Sequence, residues 1–133
     1  MNRALYTLIL HLALPIIFLR LLWRAWRAPA YGRRIGERFA VGLPAFRQGG
    51  IWIHAVSLGE SIAAAPLIRE LLERHPELPI TVTCMTPTGS ERIQALFGAR
   101  IQHCYLPYDL PWAAARFLDR LQPRLAVIME TEL

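Results

Sequence analysis

Lysine is absent from this 133-residue chain, and all 15 basic side chains are arginine. A Gly-x-x-x-x-Gly-Lys phosphate loop is therefore excluded. No Gly-x-Gly-x-x-Gly run follows the first strand-like stretch, so a dinucleotide site has no support. Two cysteines cannot build a disulfide scaffold, and their separation has no metal-ligand spacing. Acids are nearly missing from the N-terminal third. Residues 1–47 hold eight Arg against Glu37 alone, a balance of +7; residues 48–133 hold seven Arg against nine acids, a balance of −2. The net charge of +5 thus belongs to the N-terminal third and not to the body. A nucleic-acid domain carries its basic stripe on the body, so no nucleic-acid partner is expected. With 54% hydrophobic and 19% charged residues the chain is not disordered, and its length suits one domain with a real core.

What is present begins with sixteen residues free of formal charge, Ala4 to Leu19, between Arg3 and Arg20. As a helix they extend about 24 Å against a bilayer core of about 30 Å. Leu21, Leu22 and Trp23 lengthen the apolar part if Arg20 snorkels. Three readings compete. A cleaved signal peptide would use Ala28-Pro29-Ala30, but Arg20, Arg24 and Arg27 lie between the apolar run and that site. A buried helix of a soluble protein would explain His11 and Pro15. An uncleaved anchor over residues 1–27 explains the arginines by the positive-inside rule, and Trp23 and Trp26 as headgroup-level residues. The anchor is the expectation, with membrane phospholipid as a partner. It either spans or lies in the interface. Residues 28–49 form a basic segment whose Arg33 and Arg34 suit anionic phosphates on lipids or on a lipid substrate; topology control alone would account for the same arginines.

After Gly49-Gly50, residues 50–133 alternate β-branched runs with helical periodicity. Strands are expected at Ile51–Val56, Ile80–Cys84, Ile101–Leu106 and Arg124–Met129. The first intervening helix, over 61–75, has an apolar face of Ala64, Leu67, Ile68, Leu71 and Leu72. Pro66 predicts a late start or a kink there, and His75-Pro76 ends it. The second starts with Thr88–Glu91 as a capping box or with Thr86 as cap, and stops at Gly98. The third is capped by Asp109 and has a stripe of Leu110, Ala114, Phe117, Leu118 and Leu121. The fold class is α/β, a Rossmann-like parallel sheet preceded by the anchor helix.

Ligands of open parallel sheets bind beyond the carboxyl ends of the strands, at the switch point. Those ends carry Ser57-Leu58-Gly59-Glu60, Thr86-Pro87-Thr88-Gly89-Ser90, Pro107-Tyr108-Asp109 and Glu130-Thr131-Glu132. With strand order 3-2-1-4, Glu60 faces Glu130 or Glu132. A carboxylate there can act as general base on a hydroxyl, and a second one would raise its pKa. A first-turn acid favoured by the helix dipole explains Glu60 equally simply. Gly59 permits a tight turn and close approach of a ligand. The Thr86–Ser90 turn can present N–H groups to an anion or merely cap a helix. His54 and His103 read as strand residues, and Cys84 and Cys104 as reduced core thiols.

Four segments occur in order: Trp52–Glu60, Thr83–Ser90, Tyr105–Pro111 and Met129–Leu133. Together they closely resemble the N-terminal region of the 3-deoxy-D-manno-octulosonic acid (Kdo) transferases of lipopolysaccharide synthesis. Arg38-Phe39, after Gly36-Glu37, is similar to that family's stretch after its membrane anchor. The resemblance implies the partial, N-terminal acceptor domain of a GT-B glycosyltransferase. It implies transfer of Kdo from CMP-Kdo to a lipid A precursor, with inversion, on the cytoplasmic face of the bacterial inner membrane. No cofactor is implied, and no metal is expected in the chemistry. Glu60 is the family's general base. Substrate contacts are expected from Ser57, Gly59, Thr86, Thr88, Gly89, Ser90, Glu130, Glu132, Arg33, Arg34 and Arg38. The family continues well past Leu133 into a domain that binds the CMP-sugar, so this chain alone is expected to be inactive. The competing class is a membrane-tethered Rossmann-like binding module, or an inactive remnant, without turnover.

Overall fold

The computed structural model describes residues 2–130. The chain opens with helix α1, Arg3–Arg27, capped by the Asn2 carboxamide, which accepts the Ala4 N–H at 3.2 Å. The helix continues through Pro15. Two 3₁₀ turns, Pro29–Gly32 and Ile35–Phe39, follow, and then β1 (Ile51–Ala55), α2 (Leu58–Arg74), β2 (Ile80–Cys84), α3 (Pro87–Phe97), β3 (Gln102–Tyr105), α4 (Pro111–Leu121) and β4 (Leu125–Met129).

The four strands form one parallel sheet in the order β3-β2-β1-β4, with Ile51 paired to Ile80 on one side and to Leu125 on the other. The chain steps outward from β1 to β2 to β3. It then returns through α4 to place β4 beside β1, so the switch point falls between those two strands. Gly50 makes the entry to β1 possible. A Cβ there would lie 1.7 Å from the Pro79 carbonyl oxygen, a distance no side chain tolerates.

The sheet is covered on both faces. Ile53, Val82 and Cys84 pack with Ala64 and Ile68 of α2 and Ile93 and Phe97 of α3. Against the other face lie Leu110, Ala113, Phe117 and Leu121 around α4, with Cys104, Ala40 and Leu43; Leu10, Leu14, Phe39, Phe46 and Trp52 close the cluster. The segment between α1 and β1 is thus part of the core, and Phe117 meets the rings of Trp52 and Phe46 edge-on at 5.2 and 6.2 Å. The polar groups on this face are paired. The Thr83 hydroxyl oxygen accepts the Trp52 indole N–H at 2.8 Å and lies 2.9 Å from His54 Nδ1. Thr81 accepts from the Gln102 amide at 2.8 Å.

Several local expectations are corrected. Helix α2 starts at Leu58, not late, because Ser57 and Glu60 organise its first turn well before Pro66. Leu67 and Leu118 are exposed, whereas Ser61, Ala65 and Ala113 take the buried positions. Asp109 does not cap α4; Leu110 precedes that helix, and the Asp109 carboxylate instead accepts the Tyr6 hydroxyl at 2.8 Å. At α3, Thr86 is the cap, accepting the Gly89 N–H at 3.2 Å, so the box from Thr88 to Glu91 does not form. Strand β4 is apolar as expected, but Leu125 and Ile128 are exposed.

Candidate active site at the carboxyl edge of the sheet

At the end of β1 the chain turns at Ser57 into α2. The Glu60 carboxylate, in the first turn, accepts both the backbone N–H (3.1 Å) and the hydroxyl of Ser57. The Ser61 hydroxyl donates to the Ser57 carbonyl at 2.6 Å. Glu60 is thereby held in one orientation at a helix N-terminus, where the dipole favours its charge. Gly59, Glu60 and Ala63 form one wall of a cavity of about 290 Å³; Ile128, Met129 and Glu130 form the other. The switch point therefore brings Glu60 and Glu130 to one cavity. Glu132 lies outside the described residues. A Cβ on Gly59 would meet nothing nearer than the Ser57 hydroxyl oxygen at 3.9 Å, so packing within the chain makes no demand for glycine there.

Close by, α3 starts at Thr86. Its Gly89 is tightly placed: an added Cβ would come within 3.0 Å of Thr86 Oγ1 and 3.2 Å of both the Ser57 carbonyl carbon and Ser61 Oγ. The starts of α2 and α3 thus touch. Thr88 is exposed, and its hydroxyl lies 3.5 Å from that of Thr86. Ser90 is buried and belongs to a continuous chain of hydrogen bonds. His103 Nδ1–H donates to the Val82 carbonyl at 2.7 Å, which leaves Nε2 to accept the Ser90 hydroxyl at 2.7 Å. The Ser90 oxygen in turn accepts Arg34 Nη2–H at 2.6 Å. Burial, and secondarily the Arg34 charge, push the His103 pKa down to about 4, so the ring is the neutral acceptor this chain requires.

Arg34 and Arg38 both stack on Tyr105, with guanidinium carbons 4.3 and 4.2 Å from the ring centre. Arg38 is buried; it donates to the Met85 carbonyl at 2.9 Å and holds the end of β2. Glu37, also buried, accepts the Tyr105 N–H at 2.8 Å and sits 3.8 Å from the Arg34 guanidinium. Arg33, Arg34, Ser90 and Tyr105 border a second cavity of about 240 Å³, with Glu91 and Gln94 at its rim. The expected site residues therefore divide between two cavities on one edge of the sheet. Glu60, Gly59 and Glu130 share the first; Arg33, Arg34 and Ser90 share the second. Ser57 and Gly89 lie where α2 and α3 meet, and Arg38 stands behind Tyr105.

Glu37, Tyr105 and His103 escaped the site reading, although they position these groups. The available signal was Glu37 itself, the lone acid among eight arginines. His54 is buried in β1; burial lowers its pKa, while its hydrogen bond with Thr83 and, less strongly, the Glu130 charge pull the other way. Burial also raises the Cys84 thiol to about 11, so it is inert core.

The ends of the first three sequence segments, and Met129-Glu130 of the fourth, thus meet on one edge of the sheet. A family model described as 3-deoxy-D-manno-octulosonic-acid transferase matches residues 33–133. The chain belongs to the Kdo transferase family. Among the relatives it resembles are the 3-deoxy-D-manno-octulosonic acid transferases of Haemophilus influenzae (44% identical, all of this chain and 32% of the relative) and Bordetella pertussis (43%, covering 99% and 32%). A probable mitochondrial 3-deoxy-D-manno-octulosonic acid transferase of Arabidopsis thaliana is 41% identical over 90% of this chain and 27% of its own length. The chain spans about a third of the length of these relatives. No solved structure matches it. The α/β architecture with an N-terminal apolar helix is consistent with part of a GT-B glycosyltransferase.

Proposed function

We propose that this chain forms the acceptor side of an inverting glycosyltransferase that moves Kdo from CMP-Kdo to a lipid A precursor, with Glu60 as general base. The observation that supports this reading is the pairing of Glu60 with Glu130 across one cavity at the switch point. The acceptor is a primary hydroxyl, too weak an acid to ionise at neutral pH. As its oxygen attacks the anomeric carbon, its proton passes to the Glu60 carboxylate and CMP leaves from the opposite face, with inversion. Ser57 holds Glu60 in place through its N–H and hydroxyl. Glu130 sets the electrostatics of the cavity, and Gly59 leaves room for the sugar. In the neighbouring cavity Arg33 and Arg34, backed by Ser90 and by Arg38 behind Tyr105, meet the acceptor's phosphate charge. The Thr86–Gly89 turn packs against the start of α2, beside Ser57. The donor is held mainly by parts of the enzyme outside this chain, and no step is assigned to a metal or cofactor. Helix α1 keeps the enzyme on the cytoplasmic face of the inner membrane, beside its lipid acceptor.

The test is Glu60→Gln in the full-length enzyme. The amide retains an oxygen for the Ser57 N–H, so folding and acceptor binding are kept. A general base contributes about 10²–10⁴-fold, and kcat should fall by that order with little change in KM. Near-normal turnover from a normally folded variant would leave Glu60 as a helix-capping acid and defeat the proposal.

A further inference from the structure

Helix α1 is long and apolar enough to cross a bilayer, yet it is not detached from the body. Thr7, Leu10, Ala13, Leu14, Ile17, Leu21 and Ala25 are its partly or wholly covered positions. At 100° per residue they fall within an arc of about 120°, a single stripe running nearly the whole helix. Contacts follow the same line. The Tyr6 hydroxyl donates to Asp109 at one end, Leu10 and Leu14 join the α4 core cluster in the middle, and Leu21 is 4% exposed. At the other end Ala25 Cβ lies 3.1 Å from where a Cβ on Gly32 would sit. Tyr6 to Ala25 covers about 28 Å of helix, which is nearly a full bilayer core.

A spanning helix cannot keep these contacts. The body would have to enter the hydrocarbon with it, carrying the Asp109 carboxylate and the polar ends of α4, a cost no group on that surface offsets. The opposite face of α1 has a different character. Leu8, Leu12, Ile16, Leu19, Trp23 and Trp26 are its most exposed apolar side chains, centred about 180° from the covered stripe. Arg20, Arg24 and Arg27 flank this face near the C-terminal end, with Arg27 stacked on Trp23 at 4.8 Å. An apolar face with aromatics and arginines along one flank fits the headgroup boundary of an anionic membrane.

We propose that α1 lies in the plane of an anionic phospholipid surface, its Leu12–Trp26 face inserted and its opposite face bonded to the body, without crossing the bilayer. This rests on the membrane part of the reading above and fixes its geometry. The charge on the helix supports it: α1 carries Arg3, Arg20, Arg24 and Arg27 and no acid.

The experiment attaches an environment-sensitive fluorophore to Leu5→Cys, Leu12→Cys and Leu19→Cys, one at a time, in the full-length enzyme. All three positions are exposed and Cys84 and Cys104 are buried, so within residues 1–133 labelling is selective; cysteines elsewhere in the full-length enzyme are first replaced by serine. The labelled proteins bind preformed phosphatidylethanolamine–phosphatidylglycerol vesicles, and depth is read with lipids carrying quenchers at graded positions. A helix in the plane gives one shallow depth for all three, about 5–10 Å into the boundary, and binding that weakens as phosphatidylglycerol is removed. A maximum at position 12, with position 5 shielded from an impermeant thiol reagent, would overturn the in-plane geometry and leave the anchor standing. Absence of vesicle binding would overturn both. Kdo transfer, assayed with detergent-dispersed acceptor, is unaffected by either result, so failure of the catalytic reading is seen separately.

Discussion

Acidification should loosen the Arg34 cavity and the fold together, through His103. In the native protein this ring is neutral, with a pKa pushed from 6.5 to about 4. An unfolded chain protonates the same ring near 6.5. The depressed value means that the unfolded state binds the proton first as the pH falls. Stability is therefore lost progressively from about pH 6.5 down to about 4, and levels off below. Linkage puts the loss at about 2 kcal/mol at pH 5 and about 3 kcal/mol at pH 4. The consequence is local as well. A protonated Nε2 cannot accept the Ser90 hydroxyl, so Ser90 must turn while Arg34 and the new imidazolium crowd one oxygen. The assay is denaturant unfolding of the detergent-solubilised enzyme and of its His103→Gln variant at pH 7, 6 and 5. Gln has no titration in this range, so the variant should lose about 2 kcal/mol less than the parent between pH 7 and 5. Parallel losses in the two proteins would refute the argument and place the acid sensitivity elsewhere.

Two further outcomes follow from the geometry. Gly50→Ala should prevent stable folding, because its Cβ would overlap the Pro79 carbonyl at 1.7 Å; a soluble, cooperatively unfolding variant would show that β1 can enter the sheet by another path. Glu130→Gln should shift the acid limb of the kcat–pH profile downward, since a like charge is removed from the cavity shared with Glu60; an unmoved limb would mean the two carboxylates do not interact.

Much of the architecture was legible because local signals agreed. Strand β2 falls on Ile80–Cys84 as expected, Gly98 ends α3, and the order β3-β2-β1-β4 brings Glu60 and Glu130 together. Misreadings arose where a distant partner decided the outcome. Asp109 has the sequence context of a cap, but Tyr6, over a hundred residues away, takes its carboxylate. Leu67 and Leu118 satisfy helical periodicity, yet the smaller Ala65 and Ala113 fit against the sheet. Periodicity locates a face only to within a residue or so, and packing chooses which side chain occupies it. The site was legible as a set of polar strand ends and as a family resemblance. Its division into two cavities was not, because that depends on the stacking of Arg34 and Arg38 on Tyr105 and on the buried Glu37 that fixes the Tyr105 backbone.

The placement of Leu10 and Leu14 in the same cluster as Leu110 and Phe117 has a practical consequence. Trimming residues 1–27 to obtain a detergent-free protein would uncover the interior of the domain as well as remove the proposed membrane face. Replacing α1 by an unrelated transmembrane segment would do the same. On the in-plane proposal, attachment and folding draw on opposite faces of one helix, so a change on either face can be repaired only on that face. Engineering a soluble version means recolouring the outer face, Leu12, Ile16, Leu19, Trp23 and Trp26, with polar residues while Leu10, Leu14 and Leu21 stay as they are.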